Sequence, residues 1–134
     1  MKVPLKRTLV IQAPAVATNV DGSVVIGKAP FAGTVSAVGF IPNAAITGQA
    51  TNTRRVAVTN RTSAGLGVNE AALLQFNSGV NAVQYDEKAI TLHGTPGNLV
   101  VAAGDVLTWD STSPGTGLAD PGGLVIVEIT RSDD

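Results

Sequence analysis

The chain has 134 residues and a mass of 13.5 kDa, room for one domain with a real core and too little for two ordinary ones. Hydrophobic residues make up 44% and charged residues only 14%, against roughly 25% charged in typical globular domains, which excludes a disordered polyelectrolyte. A net charge of -1 excludes a global field for nucleic acid or an anionic membrane, and the absence of cysteine excludes disulfides, thiolate nucleophiles and cysteine-ligated metals.

Valine, threonine and isoleucine together supply 39 of the 134 residues. Such β-branched side chains lose rotamer freedom in helices and pack well on a pleated surface. With 15 glycines and 7 prolines as punctuation, the composition is all-β. Residues 1–7 form a short basic arm (Lys2, Lys6, Arg7) ahead of a single domain, residues 8–134. Residues 1–20 hold no unbroken apolar core of a signal peptide, and no stretch approaches a membrane span. Residues 8–17 read as extended, with Pro14 favouring an edge. Asp21-Gly22 marks a turn into a short strand over 23–26, and a strand follows over 34–41. Residues 43–53 have no period and read as a surface crossing.

The clearest alternation is residues 54–61. Arg54, Val56, Val58 and Asn60 share one face; Arg55, Thr59 and Arg61 share the other. The loop 62–69 carries Gly65 and Gly67. Residues 70–76 contain helix formers, but seven residues without a cap are too few to hold a helix, so a strand is expected. Further strands are expected over 80–85 and 88–93, the latter with Ile90 and Leu92 on one face. The run 98–105 rises to a Gly-Asp turn, and 106–110 is a strand carrying the single tryptophan, Trp109. A Gly/Pro-rich loop over 111–123 precedes the last strand, 124–131, with Val125, Val127 and Ile129 on one face and Leu124 and Ile126 on the other. About eight strands with two long crossings fit a jelly-roll-like antiparallel β-sandwich better than a meander.

Chemistry is sparse. His93, the only imidazole, has no nucleophile motif beside it and cannot build a structural zinc site alone; a strand-end role before Gly-Thr-Pro is the expectation. Asp86, Glu87, Asp105, Asp110 and Asp120 form no EF-hand loop, and Asp86, Asp105 and Asp120 sit beside turns, where a carboxylate caps local N–H groups. Of the aromatics, Phe31, Phe40 and Phe76 read as core and Trp109 can join them, leaving Tyr85 as a lone platform for a sugar. Arg54, Arg55 and Arg61 cannot form one basic patch, because alternation sends Arg54 and Arg55 to opposite faces. Gly65-Leu66-Gly67 lacks the lysine of a phosphate loop. No catalytic, cofactor-binding or metal site is expected, and neither nucleic acid nor membrane is an expected partner. The few charges imply faces covered by another molecule.

The runs Ala32-Gly33-Thr34-Val35, Phe40-Ile41-Pro42-Asn43-Ala44-Ala45-Ile46-Thr47-Gly48 and Thr53-Arg54-Arg55 resemble the small head-decoration, or capsid-stabilising cement, proteins of tailed bacteriophages. So do Asp86-Glu87-Lys88-Ala89-Ile90-Thr91-Leu92, Val101-Ala102-Ala103-Gly104-Asp105-Val106-Leu107 and Gly117-Leu118-Ala119-Asp120-Pro121-Gly122-Gly123-Leu124-Val125. The resemblance spans residues 30–131. It implies a β-sandwich or jelly-roll domain, often a homotrimer, made in the host cytoplasm and seated on the outer surface of the virion's major capsid protein lattice. It implies no enzyme activity and no cofactor. A glycan-binding β-sandwich module is the alternative from a different functional class.

Overall fold

A computed structural model describes residues 5–113 and 117–132. These form the strands β1 (Lys6–Ala13), β2 (Gly22–Lys28), β3 (Gly33–Pro42), β4 (Ile46–Thr47), β5 (Arg55–Asn60) and β6 (Asn69–Gln75). Then come β7 (Asn81–Ala82), β8 (Lys88–Ala89), β9 (Thr91–Leu92), a 3-10 turn at Pro96–Leu99, β10 (Val100–Val101), β11 (Val106–Thr112) and β12 (Gly123–Arg131). The first sheet runs β1-β12-β3, with β8 and β10 end to end along the far side of β3. The second runs β2-β11-β5-β6-β9, and every pairing is antiparallel. The two sheets pack face to face as a sandwich, and β4 with β7 forms a small ribbon beside them.

The core is built by period-two alternation. In β12, Val125, Val127 and Ile129 are fully buried, while Leu124 and Ile126 turn outward. They meet Val35, Val38 and Phe40 of β3, and across the sheets Val56, Val58, Leu107 and Trp109. Phe40 and Trp109 stack between the layers, ring centroids 5.2 Å apart and tilted by 33°, a favourable offset geometry for aromatic rings. Residues 70–76 are a strand, as expected: β6 is held between β5 and β9, with Ala71, Ala72 and Phe76 in the core. Pairing on both edges outweighs the helix propensity of alanine and leucine.

Four segments differ from their sequence pattern. The strand expected over 80–85 shrinks to β7, because Tyr85 turns to φ 63° and donates its N–H to Pro42 O. The crossing 43–53 contains β4, paired with β7. Gly48 is required there, since a Cβ would stand 1.9 Å from Asn77 O. The strand expected over 88–93 divides at Ile90: β8 joins β3 in the first sheet, β9 joins β6 in the second, and the buried Ile90 is the pivot. At the start, Lys6 and Arg7 lie inside β1, opposite Thr130 and Ile129, so the paired strand begins within the segment read as an arm. Lys2 lies outside the described residues.

Candidate functional site

Arginines on one short strand divide between core and surface. Arg54, just before β5, follows the face of Val56 and Val58 inward and is 0% exposed. Its Nε donates to Leu118 O (2.9 Å), Nη1 to Val20 O (2.9 Å) and Ser111 Oγ (3.3 Å), and Nη2 to Ala17 O (2.9 Å) and Leu118 O. Ser111 Oγ in turn donates to Asp120 Oδ2 at 2.7 Å. Burial pushes the Arg54 guanidinium below its ordinary pKa, opposed by the charges of Asp120 and Asp21. The side chain remains a cation that ties two loops, at Ala17–Val20 and at Leu118, to Ser111 of β11 at the end of the sandwich. These loops border an apolar pocket of about 250 Å³ lined by Pro14, Val16, Val20, Val24 and Trp109. The Trp109 Nε1–H is buried and has no hydrogen-bond partner among the described residues.

The outer face of the second sheet is polar. Arg55 and Glu70 form two parallel bonds, Nη1 to Oε2 at 2.6 Å and Nη2 to Oε1 at 2.5 Å. Asp110 Oδ2 accepts from Thr59 Oγ1 (2.5 Å) and Arg61 Nη2 (2.9 Å), and Oδ1 accepts from Ser23 Oγ (2.5 Å). Ala57 shares this face by alternation and is nonetheless buried, roofed by the charged groups above it. The Arg55 hydrogen bond holds the Glu70 carboxyl below the usual carboxylate range, and the Glu70 bond raises Arg55. An open groove of about 440 Å³ runs over this network, bordered also by Asp21, Val68 and Thr112.

The outer face of the first sheet is the opposite in character. Val10, 52% exposed, pairs with Ile126, which pairs with Gly39; Gln12 pairs with Leu124, which pairs with Ile41. On this half β1, β12 and β3 contribute no charged side chain, while the Glu87 carboxylate, from the turn before β8, lies over Gly39. The other half holds the Lys6–Glu128 ion pair (3.6 Å) and Ser36, whose hydroxyl bonds Glu128 Oε1 at 2.8 Å.

The remaining candidates fall where turn chemistry puts them. His93 Nδ1 accepts the Thr95 N–H at 3.0 Å, closing its own turn. Asp105 Oδ2 accepts from Ala102 N (2.8 Å) and Asn60 Nδ2 (3.0 Å), and Asp120 Oδ1 accepts from Gly122 N (2.8 Å). Asp86 closes its turn through its backbone N–H to Val83 O rather than through its carboxylate. Phe40, Phe76 and Trp109 are core, Phe31 packs against it, and Tyr85 is 73% exposed, away from the groove. Among the described residues no group of three or more His, Asp or Glu side chains is placed to hold a metal, and no helix is long and apolar enough to cross a membrane. The polar groove was missed in the sequence because its members come from β2, β5, β6 and β11; the only local signal was the shared outward face of Arg55, Thr59 and Arg61. No family model matches the chain, and comparison with curated proteins and with solved structures gives no significant match.

Proposed function

We propose that this protein is a non-enzymatic structural protein that decorates and reinforces the outer surface of a phage capsid, acting as a homotrimer on the major capsid lattice. The observation that carries the reading is the apolar stretch on the outer face of the first sheet, where Val10, Ile41, Leu124 and Ile126 lie around Gly39, with the Glu87 carboxylate over that glycine and the Lys6–Glu128 pair beyond. An apolar sheet face on a chain with 14% charged residues suits permanent contact with another copy better than contact with water. Symmetry then multiplies a modest contact over many copies.

The strand order supports the same reading. With the two-residue strands β4, β7 and β9 set aside and β8 and β10 taken as one position, the sheets hold strands first-eighth-third-sixth and second-seventh-fourth-fifth. Two interlocked Greek keys, a jelly roll, have this order, and the agreement of the long strands supports that reading, an architecture found in many capsid and lectin domains. The sequence resemblance over residues 30–131 points to the same role. In the virion the protein sits outside the shell, with the apolar face turned to neighbouring copies.

Electron microscopy of particles assembled with and without the protein tests this. Extra density at lattice symmetry points, together with co-sedimentation on undecorated capsids, is the expected result. Absence of both at saturating protein overturns it.

A further inference from the structure

The chain has only 19 charged residues, and five of them, Asp21, Arg55, Arg61, Glu70 and Asp110, border the one groove on the outer face of the second sheet. A sheet that needed only to face water would not require them to be so concentrated, nor to be interlocked. The Arg55–Glu70 fork and the four donors on Asp110, from Ser23, Thr59, Arg61 and Thr108, fix these side chains before any ligand arrives, so little rotamer entropy remains to be lost on binding. Each ionised carboxylate has about four acceptor positions, and Glu70 uses one on each oxygen, so acceptor capacity is left over.

The signs around the groove select the ligand. A phosphate or sulfate would meet the carboxylates of Asp21, Glu70 and Asp110, and a cation would meet Arg55 and Arg61. A hydroxyl both donates and accepts, and so suits a wall on which guanidinium and carboxylate alternate. Val68, exposed on the loop after β5, supplies an aliphatic edge for the C–H face of a ring. The groove volume of about 440 Å³ lies within the range of roughly 300–1,000 Å³ usual for small-ligand sites. We infer that this groove is a binding site for a neutral saccharide, held by paired charged side chains and the Ser23 and Thr112 hydroxyls instead of by an aromatic platform. The site lies on the sheet face opposite to the apolar one, which keeps it clear of the proposed contact between copies, and its saccharide binding does not depend on capsid association.

The test is binding of the full chain, tetramerised on streptavidin, to an array of neutral, sialylated and sulfated oligosaccharides, followed by calorimetric titration of the best neutral hit. Retention of neutral glycans is expected, with affinity at least tenfold weaker in Glu70→Gln and Arg61→Gln. Ser23→Ala, a change at an exposed position that preserves the fold, should weaken it several-fold. Ser36→Ala on the opposite sheet should bind as the parent does. Failure to retain any neutral glycan, a preference for the anionic ones, or unchanged binding in Ser23→Ala and in folded Glu70→Gln would each overturn the inference. Capsid co-sedimentation of the same variants separates this outcome from the fate of the decoration reading.

Discussion

Arg54 shows how a single cation can organise one end of a β-sandwich. It is buried where alternation puts a core residue, and it is tolerated because Ala17 O, Val20 O, Leu118 O and Ser111 Oγ receive its protons. Replacing it with methionine keeps much of the volume but leaves three carbonyls without their donor and Asp120 without its counter-charge. The loss should be about 3–5 kcal/mol, the cost of breaking a buried pair from one side. Arg54→Lys should recover less than half, since one ammonium cannot reach all three carbonyls on the two loops. Urea unfolding measures both; a change under about 0.5 kcal/mol in Arg54→Met would show that the clamp contributes nothing beyond an ordinary surface position. Glu70 offers a pH signature. Its folded pKa lies below its ordinary value because Arg55 donates to the charged form, so its contribution is fully present above the unfolded carboxylate range near ~4.3 and is lost as pH falls through the lower folded value. Glu70→Gln should therefore be less stable than the parent at pH 7 by up to ~1 kcal/mol, the scale of a partly exposed pair. The gap should close on acidification below about pH 4. A gap that widened in acid would reverse the assigned sign.

At the scale of elements, β12 carries the sharpest contrast. Its inward residues are fully buried and its outward ones are half-exposed, one residue apart along the same backbone. Ile129→Val should cost about 0.5–1.5 kcal/mol, the usual range for removing one buried methylene. Ile126→Thr should change the stability of the isolated protomer by no more than about 0.5 kcal/mol. Equal costs from thermal unfolding would mean that the outward face is not free. This alternation was legible from residues alone, as was that of β5, which separated Arg54 from Arg55 and Arg61 correctly. Periodicity reports which side of a strand is polar; in β12 the outward side is partly wet, whereas in β5 the polar side is itself buried at Ala57 and Thr59. The pattern over 88–93 was misleading for the same reason. A segment that leaves one sheet and enters another at Ile90 keeps an apolar residue at its pivot, and so imitates one continuous strand. Tyr85 was invisible as a breaker, because its positive φ is imposed by the Pro42 contact from 43 residues earlier. The polar groove was hidden for a related reason: Ser23, Arg55, Glu70 and Asp110 meet only through sheet order, which no local window contains.

For the whole molecule, only the exterior of the first sheet carries a contiguous apolar stretch, and this predicts how copies meet. Light scattering at micromolar concentration should report about three times the 13.5 kDa chain mass. Ile126→Glu, placing a charge at the middle of the apolar face, should reduce that to one chain without unfolding it. A trimer that survives the substitution would move the contact to another surface, and a monomeric parent at hundreds of micromolar would remove self-association in free solution. The order of the first sheet has a consequence for the birth of the protein. The strand that separates β1 from β3 is β12, synthesised about a hundred residues after β1. Until it leaves the ribosome, β1 has no neighbour to pair with, and the inward residues of β3 lack the valines that flank them. Such non-local pairing places the protein among the slow-folding β topologies, with much of its chain exposed while the rest is made. Translation therefore delivers an open half-sandwich whose closure waits on its final nine-residue strand, Gly123–Arg131.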